Sequence, residues 1–352
     1  MTGKQRFFGI VSLGLGLLFG IVWKTNMVQA AKTPSNNIGF SVSAQLPENQ
    51  ISREHSFFDL KMQSGQQQTL KVKVYNVTNR DIQIETGIHT AYTNDNGVVE
   101  YLAAMKKFDE SLKYQMGKLT RLKGKSTVII PANESRIVEA QVRIPKTDFQ
   151  GVMLGGWYFK KIDDKVTSEV KGTTNIRNQY AYVVGIKYLF GLAPKPELTL
   201  AEIEPGLVNH HQSTVAELRN TAAVMIPDVT LETTVTNRST HKTVKTVKKT
   251  GVQMAPNTAF HYGFLTGHES LKPGKYHLRM IAKNKTHHWV LEKDFTVTQA
   301  KVKQVARKSV ESNGLNPLWL VGIGAIGMLI VGGLSGWLIY VIKRRRSKHK
   351  QD

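Results

Sequence analysis

The sequence predicts an all-β protein of two Ig-like β-sandwich domains in tandem, preceded by a cleaved signal peptide and followed by one C-terminal transmembrane helix. Two observations support this prediction. Apolar residues occupy every second position in many short runs between residues 38 and 297, which is typical of half-buried strands. A long apolar stretch also lies near each end of the chain, the first after a positive start and the second before a basic tail.

Composition excludes several classes of protein. The 352 residues include no cysteine, so disulfides, thiolate zinc sites, iron–sulfur clusters and cysteine nucleophiles are ruled out. Charged residues make up 21% of the chain and apolar residues 41%, which matches neither a disordered tail nor a polytopic membrane protein. We therefore expect about two domains that are stabilised by their apolar cores.

Residues 1–31 have the pattern of a secretory signal peptide. Lys4 and Arg6 precede an apolar run over residues 7–23, and Val28 and Ala30 put small residues at the −3 and −1 positions of a cleavage site. An uncleaved N-terminal anchor is the alternative. The pattern predicts that the chain is exported up to its second apolar stretch.

Residues 318–342 contain no charged side chain and are predicted to form a transmembrane helix. At a rise of about 1.5 Å per residue, this length spans a bilayer core of about 30 Å. The basic tail, residues 343–352, is expected to stay on the cytoplasmic side, and residues 301–317 are expected to form a polar stalk. These segments predict a single-pass protein of the cell membrane with its N-terminal region outside the cell.

The predicted exported region is basic. The chain carries a net charge of +22, of which +3 lies in the signal region and +8 in residues 301–352, so residues 25–300 carry +11. A cationic exported surface suits anionic partners such as wall polymers or acidic matrix glycans, whereas the compartment disfavours nucleic acid. A cationic surface without such a partner is the alternative.

The first sandwich is predicted over residues 32–162 and the second over residues 167–300. Residues 102–116 break the strand pattern, because apolar residues recur there at three- and four-residue steps, and they predict a short amphipathic helix or a long ordered loop. Residues 94–97 (Asn-Asp-Asn-Gly) predict a hairpin turn rather than a calcium loop. A strand predicted within residues 179–190 could close the first sandwich or open the second.

No catalytic, cofactor or metal site is predicted. The GxGxxG match at residues 322–327 lies inside the predicted span and lacks the strand and the acidic partner of a dinucleotide site. The histidine pairs at 210–211 and 287–288 would point to opposite faces of a strand. Glu202 and Glu204 would share one strand face, whereas glycosidase carboxylates usually come from separate strands.

An aromatic, glycine-rich segment indicates a glycan site. Trp157 and Tyr158 follow two glycines within residues 151–159, and aromatic faces stack on sugar rings. Both residues are predicted to bind a glycan. A core role for most of this segment is the alternative, because alternation buries one side of a strand.

Six segments follow one another in order within residues 38–160: FSVSA at 40–44, LPENQ at 46–50, FFDLKM at 57–62, TNDNG at 93–97, DESL at 109–112 and GVMLGGWYF at 151–159. Together they resemble the WxL-interacting protein family of Gram-positive bacteria. The second half resembles that family's other domain more loosely, by its position, its length and its strand at residues 180–189. Ser64 departs from the pattern, since the family usually has proline before Gly65.

The resemblance implies a non-enzymatic protein of the Gram-positive cell surface. Its first domain would bind peptidoglycan, its second would bind host extracellular matrix components, and it would assemble with WxL-motif surface proteins. With the family motif in place, Asn49 and Gln50 join the predicted glycan-binding residues. Two alternatives stay open, a cell-wall glycan-acting enzyme and a membrane-anchored accessory or sensor subunit.

Overall fold

A computed structural model of the protein describes residues 38–105, 107–162, 180–265, 271–310, 324–337 and 339. The described residues between 40 and 297 form two consecutive β-sandwiches. The predicted all-β, tandem-sandwich architecture is therefore confirmed for this part of the chain.

The first sandwich contains two sheets with the strand orders β1-β3-β9-β7 and β2-β11-β10-β4-β8, and a separate hairpin of β5 and β6. Only β2 and β11 pair in parallel among its described strands. Its elements are β1 (Phe40–Gln45), β2 (Phe58–Lys61), β3 (Gln67–Asn76), β4 (Ile82–Thr90), β5 (Tyr92–Thr93), β6 (Val99–Glu100), the one-turn helix α1 (Met116–Leu119), β7 (Thr120–Leu122), β8 (Thr127–Ile130), β9 (Ser135–Arg143), β10 (Gly151–Ile162) and β11 (Ala181–Phe190).

The alternation in β3 shows why these runs form strands. Leu70, Val72 and Val74 are fully buried, while Lys71 and Lys73 between them face solvent on the other side of the sheet. A period of two residues places one row of side chains against the core and the other in water. The hairpin predicted at residues 94–97 is also confirmed, since these residues lie in the turn between β5 and β6.

Strand β11 belongs to the first sandwich. It pairs with β10 over ten residues and lies between β10 and β2. Its inward side chains Val184, Ile186 and Tyr188 are buried in the core. The structural boundary between the sandwiches therefore follows Phe190, later than the boundary predicted near residues 162–167, because this strand completes the five-stranded sheet.

The loop alternative describes residues 102–116 better than the helix. Helix α1 begins only at Met116 and has four residues. Leu102 and Met105 are 49% and 36% exposed, so the spacing of apolar residues does not produce a buried helical face. The loop is tied down at its end, where the backbone N–H of Met116 donates to Thr90 Oγ1 at 2.8 Å.

The second sandwich has the strand orders β12-β13-β16 and β15-β14-β17-β18. One contiguous core, which includes Leu231, Phe260 and Leu278, lies between the sheets. Its strands are β12 (Leu198–Val208), β13 (His211–Asn220), β14 (Ile226–Asn237), β15 (Thr243–Met254), β16 (Thr258–Phe264), β17 (Gly274–Lys283) and β18 (His288–Val297).

Helix α2 (Gln299–Ala306) follows the second sandwich and packs against it. Val305 is 7% exposed, Lys301 Nζ lies 2.7 Å from Glu204 Oε2, and the N–H of Val310 donates to His210 O at 3.0 Å. Residues 301–310 are therefore not the stalk that the sequence predicts at 301–317. The reason is that apolar side chains three residues apart, Val302 and Val305, give the helix one face that can be buried.

The predicted signal peptide (1–31) and basic tail (343–352) lie outside the described residues. Within the predicted span, residues 324–337 are helical, and the rest apart from residue 339 also lies outside them. None of the helices that the structure describes is both long enough and apolar enough to span a bilayer.

Backbone hydrogen bonds join the two sandwiches. The N–H of Gln253 in β15 donates to the carbonyl of Gly97 at 2.7 Å, and the N–H of Val152 in β10 donates to Ala223 O at 2.7 Å. The N–H of Ala255 donates to Thr93 Oγ1 at 2.9 Å. The β5–β6 hairpin therefore contacts the second sandwich directly.

Candidate functional site: the aromatic face of the first sandwich

The outer surface of the five-stranded sheet carries a cluster of solvent-accessible rings, which we name the aromatic face. It consists of His55, Phe57, His89, Tyr101 and Tyr158. Three adjacent strands, β4, β10 and β11, form its floor. Four of these rings come from positions that the sequence did not single out as a site.

Glycines in the floor let the rings lie against the backbone. Gly156 in β10 is directly opposite Gly185 in β11. A Cβ at Gly156 would lie 2.6 Å from Tyr101 Cβ, and one at Gly87 would lie 2.7 Å from Tyr158 Cε1. Because real side chains cannot approach so closely, glycine at these positions is what permits the two tyrosines to cover the strands.

Phe57 covers the third glycine and is held there by Gln50. A Cβ at Gly185 would contact Phe57 Cβ at 3.5 Å. The Gln50 side-chain amide donates to the carbonyls of Ser52 and Phe57, each at 2.9 Å, and its Oε1 accepts from the N–H of Asp59 at 3.2 Å. Both Gln50 amide hydrogens are thereby used within the protein, so this residue positions the loop that presents Phe57.

Asn49 has a similar local role. Its Nδ2 donates to the carbonyl of Lys61 at 2.9 Å and lies 3.3 Å from Met62 Sδ. These contacts tie the start of the loop to the end of β2. Asn49 and Gln50 lie next to the aromatic face, and their contact with a glycan stays a prediction.

Trp157 does not lie on the aromatic face. Its side chain is fully buried, its Nε1 donates to Thr86 Oγ1 at 2.8 Å, and its ring stacks on Phe159 with centroids 5.4 Å apart. A ring without an exposed face cannot stack on a sugar. The prediction that Trp157 binds a glycan is therefore at odds with its position, and the core alternative describes it.

Tyr158, the next residue, points to the opposite side of the strand and is partly exposed. Its hydroxyl donates to Glu85 Oε1 at 3.0 Å, and its ring centroid lies 5.0 Å from that of His89. Burial, reinforced by the hydrogen bond and charge of Glu85, raises the pKa of Tyr158 to about 12. The phenol is therefore a protonated donor throughout the physiological pH range.

A buried charge supports the other end of the face. The Asp59 side chain is 3% exposed, with Lys187 Nζ 3.0 Å from its Oδ1 and His55 Nδ1 3.1 Å from its Oδ2. His55 in turn stacks on Phe57 with centroids 4.8 Å apart. Asp59 thus fixes the imidazole of His55 against one face of the Phe57 ring.

The arrangement is suited to binding. Flat rings offer apolar surface to the C–H faces of sugars, while phenol, imidazole and ammonium groups at the edge can hydrogen-bond to hydroxyls and amides. Glu85 and Asp59 are each engaged by a neighbouring donor or cation rather than facing one another across a cleft. Among the described residues, no cluster of side chains has the composition of a metal site.

The fold and this face define a class of protein, a tandem β-sandwich binding protein. Two family models match the chain: the WxL Interacting Protein peptidoglycan binding domain over residues 40–161, and the WxL Interacting Protein host binding domain over residues 171–307. The chain belongs to the WxL-interacting protein family, as its sequence motifs predict. Both matched domains are binding domains, which agrees with a non-enzymatic surface protein.

Similarity to solved structures is weak. The chain is 14% identical to a chain of the chaperone–tip adhesin complex of CFA/I fimbriae, covering 72% of this chain and 97% of that one with a TM-score of 0.31. It is 10% identical to a chain of the CsuC–CsuE complex of Acinetobacter baumannii, covering 64% and 90% with a TM-score of 0.33. At these TM-scores, neither structure supports a statement about the function of this chain. No curated protein matches the chain.

Proposed function

We propose that the protein is a membrane-anchored protein of the Gram-positive cell surface that binds peptidoglycan through its aromatic face. The main observation in support is that Tyr101, Tyr158 and Phe57 pack closely over glycines of three neighbouring strands. All five rings of the aromatic face lie within residues 40–161, the range that the peptidoglycan-binding family model matches.

The chemistry of the face suits a glycan strand. Sugar rings present apolar C–H faces that stack on aromatic rings, and stacking between two aromatic rings, a comparable contact, contributes about 0.5–1.5 kcal/mol. The N-acetyl and hydroxyl groups of peptidoglycan need donors and acceptors at the edge of such a face. The Tyr158 hydroxyl, His89 and Lys187 lie at that edge.

The rest of the chain supplies the other parts of the proposal. The second sandwich binds host extracellular components, which the match to a host-binding family model supports. The whole protein assembles with WxL-motif surface proteins, as the family name indicates. Both sandwiches lie outside the membrane in this proposal, between a signal peptide (1–31) and a membrane span (318–342) that is followed by a basic tail (343–352). The charge-free stretch of the sequence supports this topology.

Pelleting with purified peptidoglycan tests the site. The full-length chain in a nonionic detergent is mixed with insoluble peptidoglycan from which attached polymers have been hydrolysed. Replacing both Phe57 and Tyr101 by alanine removes two stacking rings and is expected to weaken binding about 10-fold. Tyr180→Ala serves as the matched control, because Tyr180 is 52% exposed and not part of the face.

Thermal unfolding separates loss of the site from loss of the fold. Phe57→Ala alone leaves Tyr101 over Gly156 and serves as the milder variant. A folded double variant that binds as tightly as the unaltered chain would exclude the aromatic face as the site. Equal weakening by Tyr180→Ala would mean that the effect is not specific to this face.

A further inference from the structure

The outer surface of the four-stranded sheet in the first sandwich does not carry the aromatic face. It carries a groove of about 480 Å³ instead. We name it the cationic groove. Every ionisable side chain that lines it is a cation: Lys118, Arg121, Lys123 and Arg143. Leu119, Leu122 and Gln141 complete its lining.

Strand register brings these cations together. Arg121 in β7 is directly opposite Gln141 in β9, and Arg143 lies two residues further along β9 on the same side of the sheet. Lys118 enters from α1, whose neighbouring Leu119 is buried against the core. The groove is therefore built from a helix and two strands rather than from a mobile loop.

Carboxylates neutralise little of this charge. Lys123 pairs with Glu139 at 3.3 Å, but Lys71 shares the same carboxylate at 3.2 Å. Within the part of the chain that the structure describes, no carboxylate lies in ion-pair distance of Lys118, Arg121 or Arg143. Three exposed cations therefore share one groove without a counter-charge, and a bound anion would relieve their mutual repulsion.

The positive surface continues beyond the groove onto β3. Lys71 and Lys73 are successive outward residues of that strand, and Lys73 Nζ lies 4.8 Å from the centre of the Tyr75 ring. Glu139 is the only acid among the paired outward positions of β3 and β9. Cations thus follow one another across three neighbouring strands, β7, β9 and β3.

We propose that the cationic groove binds a linear, phosphodiester-linked anionic polymer of the cell wall. Arginine guanidinium groups match phosphate oxygens in a bidentate geometry, and lysines add point charges. A row of cations that crosses the sheet suits an anion whose charge repeats along a chain. The recess suits a flexible polymer better than the flat surface of a bilayer.

This site is separate from the proposed peptidoglycan site. The aromatic face belongs to the five-stranded sheet and the cationic groove to the four-stranded sheet, so the two occupy different surfaces of one sandwich. One molecule can then contact the glycan strand and the anionic polymer attached to the same wall. Variants of one site should leave binding at the other intact.

The test measures binding of the full-length chain, in nonionic detergent, to a purified linear glycerol-phosphate polymer. The variant Lys118→Gln/Arg121→Gln/Arg143→Gln is compared with Lys272→Gln/Lys275→Gln/Lys285→Gln, which removes the same charge from exposed positions of the second sandwich. The groove variant is expected to bind on the order of 10- to 100-fold more weakly, and the control variant less than about 3-fold. Added salt should weaken binding of the unaltered chain.

Each outcome decides the proposal. Equal losses in the two variants would show a general charge effect and overturn the site, as would unchanged binding by the groove variant. If the groove variant no longer binds phosphatidylglycerol nanodiscs but still binds the polymer, the groove is a lipid site instead. Retained pelleting of the groove variant with phosphate-free peptidoglycan shows that it is folded and keeps this result independent of the aromatic face.

Discussion

The guanidinium of Arg219 in β13 donates hydrogen bonds of 2.7 and 2.9 Å to the two carboxylate oxygens of Asp109, in the loop before α1. The N–H and hydroxyl of Ser111 also donate to Asp109. Burial opposes ionisation of Asp109, but Arg219 and Ser111 outweigh it and lower its pKa to about 2. A charge-assisted, bidentate contact therefore links a loop of the first sandwich to a strand of the second.

Removing the charge of Asp109 should loosen this link. Asp109→Asn leaves Arg219, which is 21% exposed, with only the exposed carboxylate of Glu110 as an ionic partner, and we expect a loss of about 2–3 kcal/mol in the free energy of unfolding. Urea unfolding of the full-length chain measures it. Glu292→Gln is the control, because it breaks the Arg279–Glu292 pair, whose side chains are both 49% exposed, and should cost less than about 1 kcal/mol.

The same pair predicts an acid dependence. The pKa of Asp109 is lower in the folded chain than its ordinary value of 3.8, so its contribution to stability is present above that pH and is lost as the pH falls towards about 2. Asp109→Asn should flatten this part of the stability profile. If the unaltered chain and the Asp109→Asn variant lose stability in parallel between pH 4 and 2, the Asp109–Arg219 pair does not contribute to folding stability.

His261 and Asp95 predict a second pH dependence, of opposite sign. The imidazole of His261 in β16 lies 3.7 Å from Asp95 in the β5–β6 hairpin. The hydrogen bond to the Asp95 carboxylate raises the pKa of His261. Burial of the imidazole acts in the opposite direction but is outweighed. The contribution is therefore fully present below pH 6.5 and is lost as the pH rises through the raised value.

An NMR titration of His261 checks this prediction. Asp95→Asn should lower the pKa of His261 and remove part of the loss of stability on going from pH 6 to pH 8. Both side chains are more than half exposed, so the change in stability is expected to be small. Asp228→Asn, an exposed change elsewhere in the second sandwich, should leave the titration as it is.

Trp157 should act on stability and not on glycan affinity. Trp157→Ala is expected to cost about 3–5 kcal/mol, because it removes a fully buried ring. Trp157→Phe keeps a ring and loses the hydrogen bond to Thr86, so it should cost less. Thermal unfolding and peptidoglycan pelleting measure the two effects. Weaker pelleting with unchanged stability would restore Trp157 as a contact residue.

The position of β11 predicts where the chain can be cut. A fragment of residues 38–170 lacks this strand, so β2 loses its sheet partner and the core loses Val184, Ile186 and Tyr188. A fragment of residues 38–196 keeps them. We expect a cooperative urea transition for the longer fragment and non-cooperative unfolding for the shorter one. Identical transitions would contradict the assignment of β11 to the first sandwich.

Much of the fold is predictable from local patterns. Alternation in β3 and β9 identifies both strands and their inward side chains, because each residue's side is set by its place in a two-residue period. The same rule separates buried Trp157 from partly exposed Tyr158, and only the choice of side needs the structure. For residues 102–116 the sequence leaves a helix and an ordered loop open, and the structure has the loop, because a helical spacing of apolar residues forms no helix unless something packs against it.

The candidate site was less predictable. Tyr158 lies on the aromatic face as the sequence suggests, but Tyr101 reaches it from a loop more than fifty residues away, and no local signal connects it with Gly156. The FFDLKM motif contains Phe57 but does not say that Phe58 turns inward while Phe57 covers Gly185. Asn49 and Gln50 hold the loop through side-chain hydrogen bonds, a role that the sequence does not predict.

Periodicity, turn residues and family motifs were enough to establish two β-sandwiches of a WxL-interacting protein, since these features depend on neighbours along the chain. Packing alone decided that β11 completes the first sandwich, that Arg219 pairs with Asp109 and that four cations line one groove. Each of these relationships joins residues far apart in the chain, and such contacts form only when the sheets pair and stack.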